Sequence, residues 1–272
     1  MYKIIACDLD ETLLNDDHQI SEKDIESIRK ATELGVKFVI ATGRPFNSAF
    51  NDLRRLGLFD KEDEYVISFN GSVLTENKGN RVIYRQEMPF DKINELYKKG
   101  VEYDTCIHAY SLDKVYVYNY FDFERKYIEG RMNIVETFEK NLEKYRDDTF
   151  IKILFCDLDD QVLQNYLRNM SELTGDVEVS FSSNRYLEFN CPGIDKGVGL
   201  VNLAKYLNVD IKDTIAVGDN INDLPMIKAA GLGIGVRNVN PVMKDECDYV
   251  LESSNNENPL TEVIEKFIFN KN

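Results

Sequence analysis

Four short segments carry side chains able to do chemistry. The first is Asp8-Leu9-Asp10-Glu11-Thr12, directly after the apolar run YKIIAC of residues 2–7. Two carboxylates so close at a strand end repel, and the pair is held together only with a cation or a shared proton between them. Magnesium, a hard ion that favours oxygen ligands, suits such a pair. Read alone, the segment serves equally well as an Asx turn. The second segment, ATGRP at residues 41–45, offers the Thr42 hydroxyl and the amides around Gly43 at a helix start, where an anion can be held. By itself it is more simply a strand-to-helix turn. The third is Lys196 in PGIDKGVGL. A helix N-terminus is electrostatically wrong for an ammonium, so a negative neighbour would explain it; taken singly, it reads as a solvated surface lysine. The fourth, GDNIND at residues 218–223, crowds Asp219, Asn220, Asn222 and Asp223 behind the apolar run TIAVG. With no basic partner nearby in sequence, these oxygens favour a hard-cation site over a polar turn capping the next helix.

The elements that must position these residues alternate between buried runs and helical periods. Residues 2–7, 36–41 and 65–69 read as strands buried on both faces. A helix begins after Ser21, with Asp24 in the box position and Ile25, Ile28, Ala31 and Thr32 at helical spacing, and Gly35 ends it. A second helix spans about residues 45–56, with Pro45 in its first turn. This is β-α-β-α-β, the pattern of a parallel sheet with crossover helices. The rhythm returns near the end of the chain: helix 197–207, strand 214–218, helix 223–230, strand 232–236, a short strand ending at Leu251 and a helix over 259–269. Open sheets of this kind place their sites at the carboxyl ends of the strands. The four segments all follow or open such elements, so they converge on one edge. Carboxylates, one ammonium, a hydroxyl and several amides together suit a phosphoryl group bound with Mg²⁺.

The middle of the chain differs. Strands there alternate more, as in VYVYNY at residues 115–120, FIKILFC at 150–156 and VEVSF at 177–181, with helical patterns over 90–103 and 159–174. The reading is an antiparallel sheet with helices on one side, inserted into the first unit. The expected division is therefore a catalytic core from residues 1–81 and 190–272, and an inserted α+β domain over 82–189.

At 272 residues the chain has room for one large domain or two modest ones. A net charge of −15 disfavours nucleic acid and anionic membrane surfaces as partners. Five cysteines with no CxxC pair argue against a disulfide framework or structural zinc, and fit a reducing cytoplasm. The N-terminal segment does not read as a signal peptide. No run of about 18 apolar residues marks a membrane span.

In this order, DLDETL (8–13), ATGRP (41–45), FNGS (69–72), Lys196 and GDNINDLPM (218–226) resemble the haloacid dehalogenase superfamily, and most closely its Cof-type phosphatases with a large α/β cap. The resemblance covers nearly the whole chain. It implies an α/β fold: a Rossmann-like parallel-sheet core with helices on both faces, plus an inserted α+β cap domain that selects the substrate. It implies Asp8 as the nucleophile forming an aspartyl-phosphate. Asp10 is then the acid that protonates the leaving oxygen and the base that activates water. The Leu9 amide, Thr42, Gly43, Lys196 and Asn222 hold the phosphate. Mg²⁺ rests on Asp8, the carbonyl of Asp10 and Asp219, with Asp223 close by. The expected activity is a cytoplasmic, Mg²⁺-dependent phosphatase of a small phosphorylated metabolite, a sugar phosphate or a phosphorylated cofactor, working as a monomer or homodimer. Rival readings are a hexose phosphate phosphomutase and a non-catalytic phosphometabolite sensor. The sequence departs from the family pattern at Glu11, where glycine is common, and at the segment Val236-Arg237-Asn238-Val239, where Arg237 bears on substrate preference.

The remaining candidates read as structural. His18 lies in a polar loop. His108 could touch substrate but reads more simply as packing or surface, and the row of Tyr116, Tyr118 and Tyr120 could stack on a ligand but more often covers a half-exposed sheet. Cys7, beside the nucleophile in sequence, points away from it along the strand.

Overall fold

The computed structural model describes residues 2–130 and 132–269. In chain order the elements are β1 (Ile4–Cys7), α1 (Glu22–Glu33), β2 (Lys37–Ala41), α2 (Phe50–Leu56), β3 (Tyr65–Ser68), β4 (Val73–Glu76) and β5 (Arg81–Arg85). Then follow α3 (Phe90–Glu102), β6 (Cys106–Ser111), β7 (Val115–Tyr118), α4 (Asp122–Ile128), β8 (Ile134–Thr137), β9 (Phe150–Cys156), α5 (Asp160–Asn169), β10 (Glu178–Ser182) and β11 (Tyr186–Asn190). The chain closes with α6 (Lys196–Tyr206), β12 (Thr214–Gly218), α7 (Leu224–Ala229), β13 (Leu232–Gly235), β14 (Tyr249–Val250) and α8 (Pro259–Ile264).

The chain forms two compact units, Met1–Arg85 with Ile194–Asn272, and Gln86–Gly193. Each junction lies four residues beyond the boundary expected from sequence. The reason at the first is β5, which pairs antiparallel with β4 and so belongs to the first sheet.

The first unit is built on an eight-stranded sheet in the order β14-β13-β12-β1-β2-β3-β4-β5. The run from β14 to β3 is parallel. Two antiparallel strands, β4 and β5, extend the edge. The sequence reading missed β4, a short VLTE segment reached through a tight turn. β1 is central and buried throughout. Alternation along it sends Ile5 and Cys7 into one apolar layer, with α1 and α8, and Ile4 and Ala6 into the other, with α6 and α7. Each fully buried isoleucine there contributes about 2 kcal/mol relative to exposure. Helices thus cover both faces of a doubly wound sheet. Ser21 caps α1 by accepting from the Asp24 amide at 3.1 Å. The second helix departs from expectation: Pro45 stands outside it, a 3-10 turn spans Phe46–Ala49, and α2 begins only at Phe50.

The second unit holds a six-stranded sheet in the order β10-β11-β9-β6-β7-β8. It is antiparallel except that β7 and β8 run parallel. The cause is α4, unanticipated from sequence, which carries the chain back in a β-α-β crossover. α3 and α5 pack on one face. Glu124 of α4 meets Cys156 and Tyr186 on the other, so helices cover both faces rather than one. Tyr116 stacks on Tyr145 and Tyr118 meets Tyr97 edge-on, so these tyrosines are used in packing. His108 is fully buried and His18 exposed.

Candidate active site

Parallel pairing decides which residues meet. Cys7 lies opposite Val217 of β12 and Ile40 of β2. The next residues, Asp8, Gly218-Asp219 and Ala41-Thr42, therefore leave the sheet side by side at its carboxyl edge. Asp8 is nearly buried, and its amide donates to Val217 O at 2.9 Å, which continues the ladder by one residue.

Lys196 is the first residue of α6 and is fully buried. Its ammonium donates to the Asp8 carboxylate and, at 2.6 Å, to Asp223 Oδ1. The simple reading of Lys196 as a solvated surface residue is thus corrected, and so is the apparent lack of a basic partner for Asp223. The partners lie 188 and 27 residues from Lys196 in sequence. Two local devices set α6 in place. Asp195 caps it by accepting from the Val198 amide at 2.8 Å. Gly71, at φ +95°, lets the turn after β3 lie directly under the helix start: a Cβ there would stand 2.0 Å from Asp195 O.

Asp223 organises the loop after β12. Its Oδ2 accepts from the amides of Asp219 and Asn220, each at 3.0 Å, and Asn220 caps the turn in return. Pro225 follows in the first turn of α7, where its missing N–H costs nothing. Both Asp223 oxygens are therefore engaged by protein donors. The Asp219 carboxylate is nearly buried and accepts from the Thr12 hydroxyl at 2.6 Å. Thr12 carried no separate role in the sequence reading; its signal was its place in the same loop as Asp8.

Ligand atoms of Asp8, Asp219 and Asp223 lie within 4.8 Å of one another. Three carboxylates face one ammonium, and the electrostatics follow. Burial, then the Asp223 charge, hold the Asp8 carboxyl well above its usual range despite Lys196. Burial pushes Asp219 up to about 7, against the Thr12 hydrogen bond and with the help of Asp223 and Glu11. Lys196 is lowered by burial but raised more by Asp223 and Asp8, so it is held as an ammonium. An all-oxygen cluster with more negative charge than its own lysine neutralises is the donor set a hard divalent cation requires.

The other expected residues occupy the same edge. Thr42 is buried at the end of β2, and its Oγ1 accepts from the Arg44 amide at 3.1 Å. Gly43 lies against the Asn70 amide, and Asn222 Nδ2 donates to Asn70 Oδ1 at 3.5 Å. Asn70, to which the sequence reading gave no role, thus joins Gly43 to Asn222. The Leu9 side chain is fully buried in the apolar layer. Asp10 is directed elsewhere: its half-exposed carboxylate is ion-paired with Arg44, a contact not anticipated from sequence. Glu11 adopts φ +58°, the left-handed conformation that favours glycine. Arg237 is ion-paired with Glu257 and donates to Glu252 O at 3.1 Å, which ties down its own loop. Cys7 points into the apolar layer, as expected.

A family model for haloacid dehalogenase-like hydrolases matches residues 5–264. The chain belongs to this family. It is a haloacid dehalogenase-superfamily phosphatase, a phosphoric monoester hydrolase. Among its relatives, the putative phosphatase YxeH of Bacillus subtilis is 29% identical and matches over 100% of both chains. The 5-amino-6-(5-phospho-D-ribitylamino)uracil phosphatase YcsE of the same organism is 29% identical over 93% of this chain and 90% of its own. A crystal structure of a haloacid dehalogenase-like hydrolase from Bacteroides thetaiotaomicron superimposes with a TM-score of 0.87 at 28% identity, covering 97% of this chain and 99% of that one. Among the described residues, no helix is long and apolar enough to cross a membrane.

Proposed function

We propose that this haloacid dehalogenase-like phosphatase hydrolyses a small phosphorylated metabolite through an aspartyl-phosphate on Asp8, with Mg²⁺ as its cofactor. The observation that carries the reading is the buried Lys196 ammonium joined to Asp8 and Asp223 at the sheet edge. A carboxylate attacks a phosphate dianion only where the mutual repulsion is cancelled. Lys196 supplies one charge. Asp8, the Asp10 carbonyl and Asp219 would hold Mg²⁺, which when bound would supply the remaining positive charge and polarise the phosphoryl group.

In this scheme Asp8 bonds to phosphorus and the alcohol oxygen departs, taking a proton from Asp10. Asp10 then draws a proton from water as that water attacks the acyl phosphate, and Asp8 is regenerated. Arg44, ion-paired with the Asp10 carboxylate, fixes where that side chain points. Thr42, the amides of Leu9 and Gly43, Lys196 and Asn222 hold the phosphoryl oxygens. Asp223 positions Lys196 and the loop of Asp219, with both of its oxygens already accepting hydrogen bonds.

Sugar phosphates are the leading substrate class, followed by phosphorylated cofactors and their precursors. The relative that acts on a phosphoribitylaminouracil supports a substrate in which the phosphate ends a polyol chain. The test is a screen of phosphorylated metabolites with Mg²⁺ and with EDTA, following free phosphate. Release that depends on Mg²⁺ supports the proposal. Isomerised sugar phosphate without free phosphate would mark a mutase, and binding without turnover of a broad panel would mark a sensor.

A further inference from the structure

Cys106 of β6 and Cys156 of β9 stand directly opposite each other in an antiparallel ladder. Both are free thiols and fully buried. Antiparallel partners keep their Cα atoms about 4.5–5.5 Å apart, within the span of about 4.4–6.8 Å that a disulfide bridges.

Their surroundings make them unequal. Cys106 Sγ lies 3.6 Å from His108 Nε2. Cys156 Sγ donates to Glu124 Oε2 at 3.2 Å. Glu124 is itself fully buried and is fixed by the Tyr186 hydroxyl at 2.6 Å and by Arg185 at 3.2 Å. The neighbouring Cys156 sulfur, and then His108, pull the Cys106 thiol down to about 6 against the effect of burial. Cys106, burial and Glu124 push Cys156 far up. One sulfur is thereby suited to attack as a thiolate, and the other keeps its proton beside a carboxylate that can take it.

We propose that Cys106 and Cys156 form a dithiol that closes to a disulfide on exposure to a small peroxide, with Cys106 attacking and Cys156 resolving. In the first step the Cys106 thiolate bonds to one peroxide oxygen, the O–O bond breaks, and the departing hydroxide takes up a proton to become water. Cys106 is then a sulfenic acid. In the second step the Cys156 sulfur bonds to the Cys106 sulfur and the S–OH bond breaks. Glu124 takes the Cys156 proton and passes it to the departing hydroxide. The two sulfurs lose two electrons in all, and one peroxide becomes two waters. Burial sets the conditions. The oxidant must be small or enter when α4 lifts, and α4 is a helix of seven residues with no side-chain N-cap.

The test uses the whole, reduced protein. It is treated with excess hydrogen peroxide, quenched with catalase, unfolded in iodoacetamide and mapped by peptide mass. The expected product is a cross-linked peptide joining residues 106 and 156, about 2 Da lighter than the two reduced peptides and restored by dithiothreitol. C156S should stop at a sulfenic acid on Cys106, captured by dimedone, whereas C106S should leave Cys156 unlabelled. Full alkylation of both cysteines in peroxide-treated wild-type protein overturns the proposal, as does a disulfide that pairs either of them elsewhere. A dimedone adduct on Cys156 in C106S overturns the assignment of roles. The wild-type map decides the matter even if a variant fails to fold.

Discussion

The Lys196 ammonium donates to Asp8 and to Asp223 at once, and no part of the lysine side chain reaches solvent. The position of Asp8, the proposed nucleophile, the position of the Asp219 loop and the charge balance therefore depend on a single buried cation. Removing one partner of such an arrangement differs in kind from removing a surface ion pair.

Lys196→Met leaves Asp8 and Asp223 buried with no counter-charge. The expected loss is about 3–5 kcal/mol of folding stability, together with loss of turnover. Urea unfolding at neutral pH in EDTA measures the first. A loss below about 1 kcal/mol would show that the pair is solvated.

Asp8→Asn removes the charge of the proposed attacking carboxylate but keeps the shape. Turnover should fall by about 10⁴-fold or more. Stability should hold or rise, because burial and Asp223 disfavour the charged carboxyl at this position. Steady-state phosphate release and a thermal melt report the two effects separately. Retained activity would remove Asp8 as nucleophile.

Asp219 has a direction of pH dependence that can be worked out. Its carboxyl is held at about 7 in the fold, against about 3.9 unfolded. The folded state therefore binds this proton more tightly. Its contribution to stability is complete below about pH 4 and is lost as pH rises through 7. In EDTA the urea midpoint should fall between pH 5 and pH 8. Millimolar Mg²⁺ should reduce that fall by neutralising the same carboxylates. A flat or rising midpoint in EDTA would contradict the burial of this charge.

Glu11 is an L-residue at φ +58°. Left-handed backbone costs about 1–2 kcal/mol for such a residue, and glycine adds back some of that through its freer unfolded chain. Glu11→Gly should stabilise the protein by up to about 1 kcal/mol, read as a higher Tm.

At Gly218, a Cβ would stand 2.5 Å from Cβ of Asp223. Gly218→Ala should cost about 1–3 kcal/mol through overpacking. Turnover should drop as well, since Asp223 is the residue that holds Lys196. Wild-type kinetics in the variant would show that the loop yields without consequence.

The alternation of strands and helices was legible in sequence because parallel strands buried on both faces read as plain apolar runs, and α1 carries its own cap at Ser21. The local chemistry was legible for a related reason: Asp8, Thr42 and Asp219 each directly follow a strand. What was not legible depended on distant neighbours. Nothing near Lys196 in sequence announces Asp8, and nothing near Asp10 announces Arg44, 34 residues away. β4 is only four residues long and α4 only seven, so neither gives a strong periodic signal. Missing α4 concealed the parallel pairing of β7 with β8 and the helix on the second face of that sheet.

Because β1 lies between β2 and β12, one flank of the central strand stays open until residues 214–217 have been made. During synthesis on a ribosome, the unit bearing Asp8 cannot close its sheet before residues 214–217 have emerged. Until then β1 carries an unpaired edge, whereas Gln86–Gly193 is contiguous and already made.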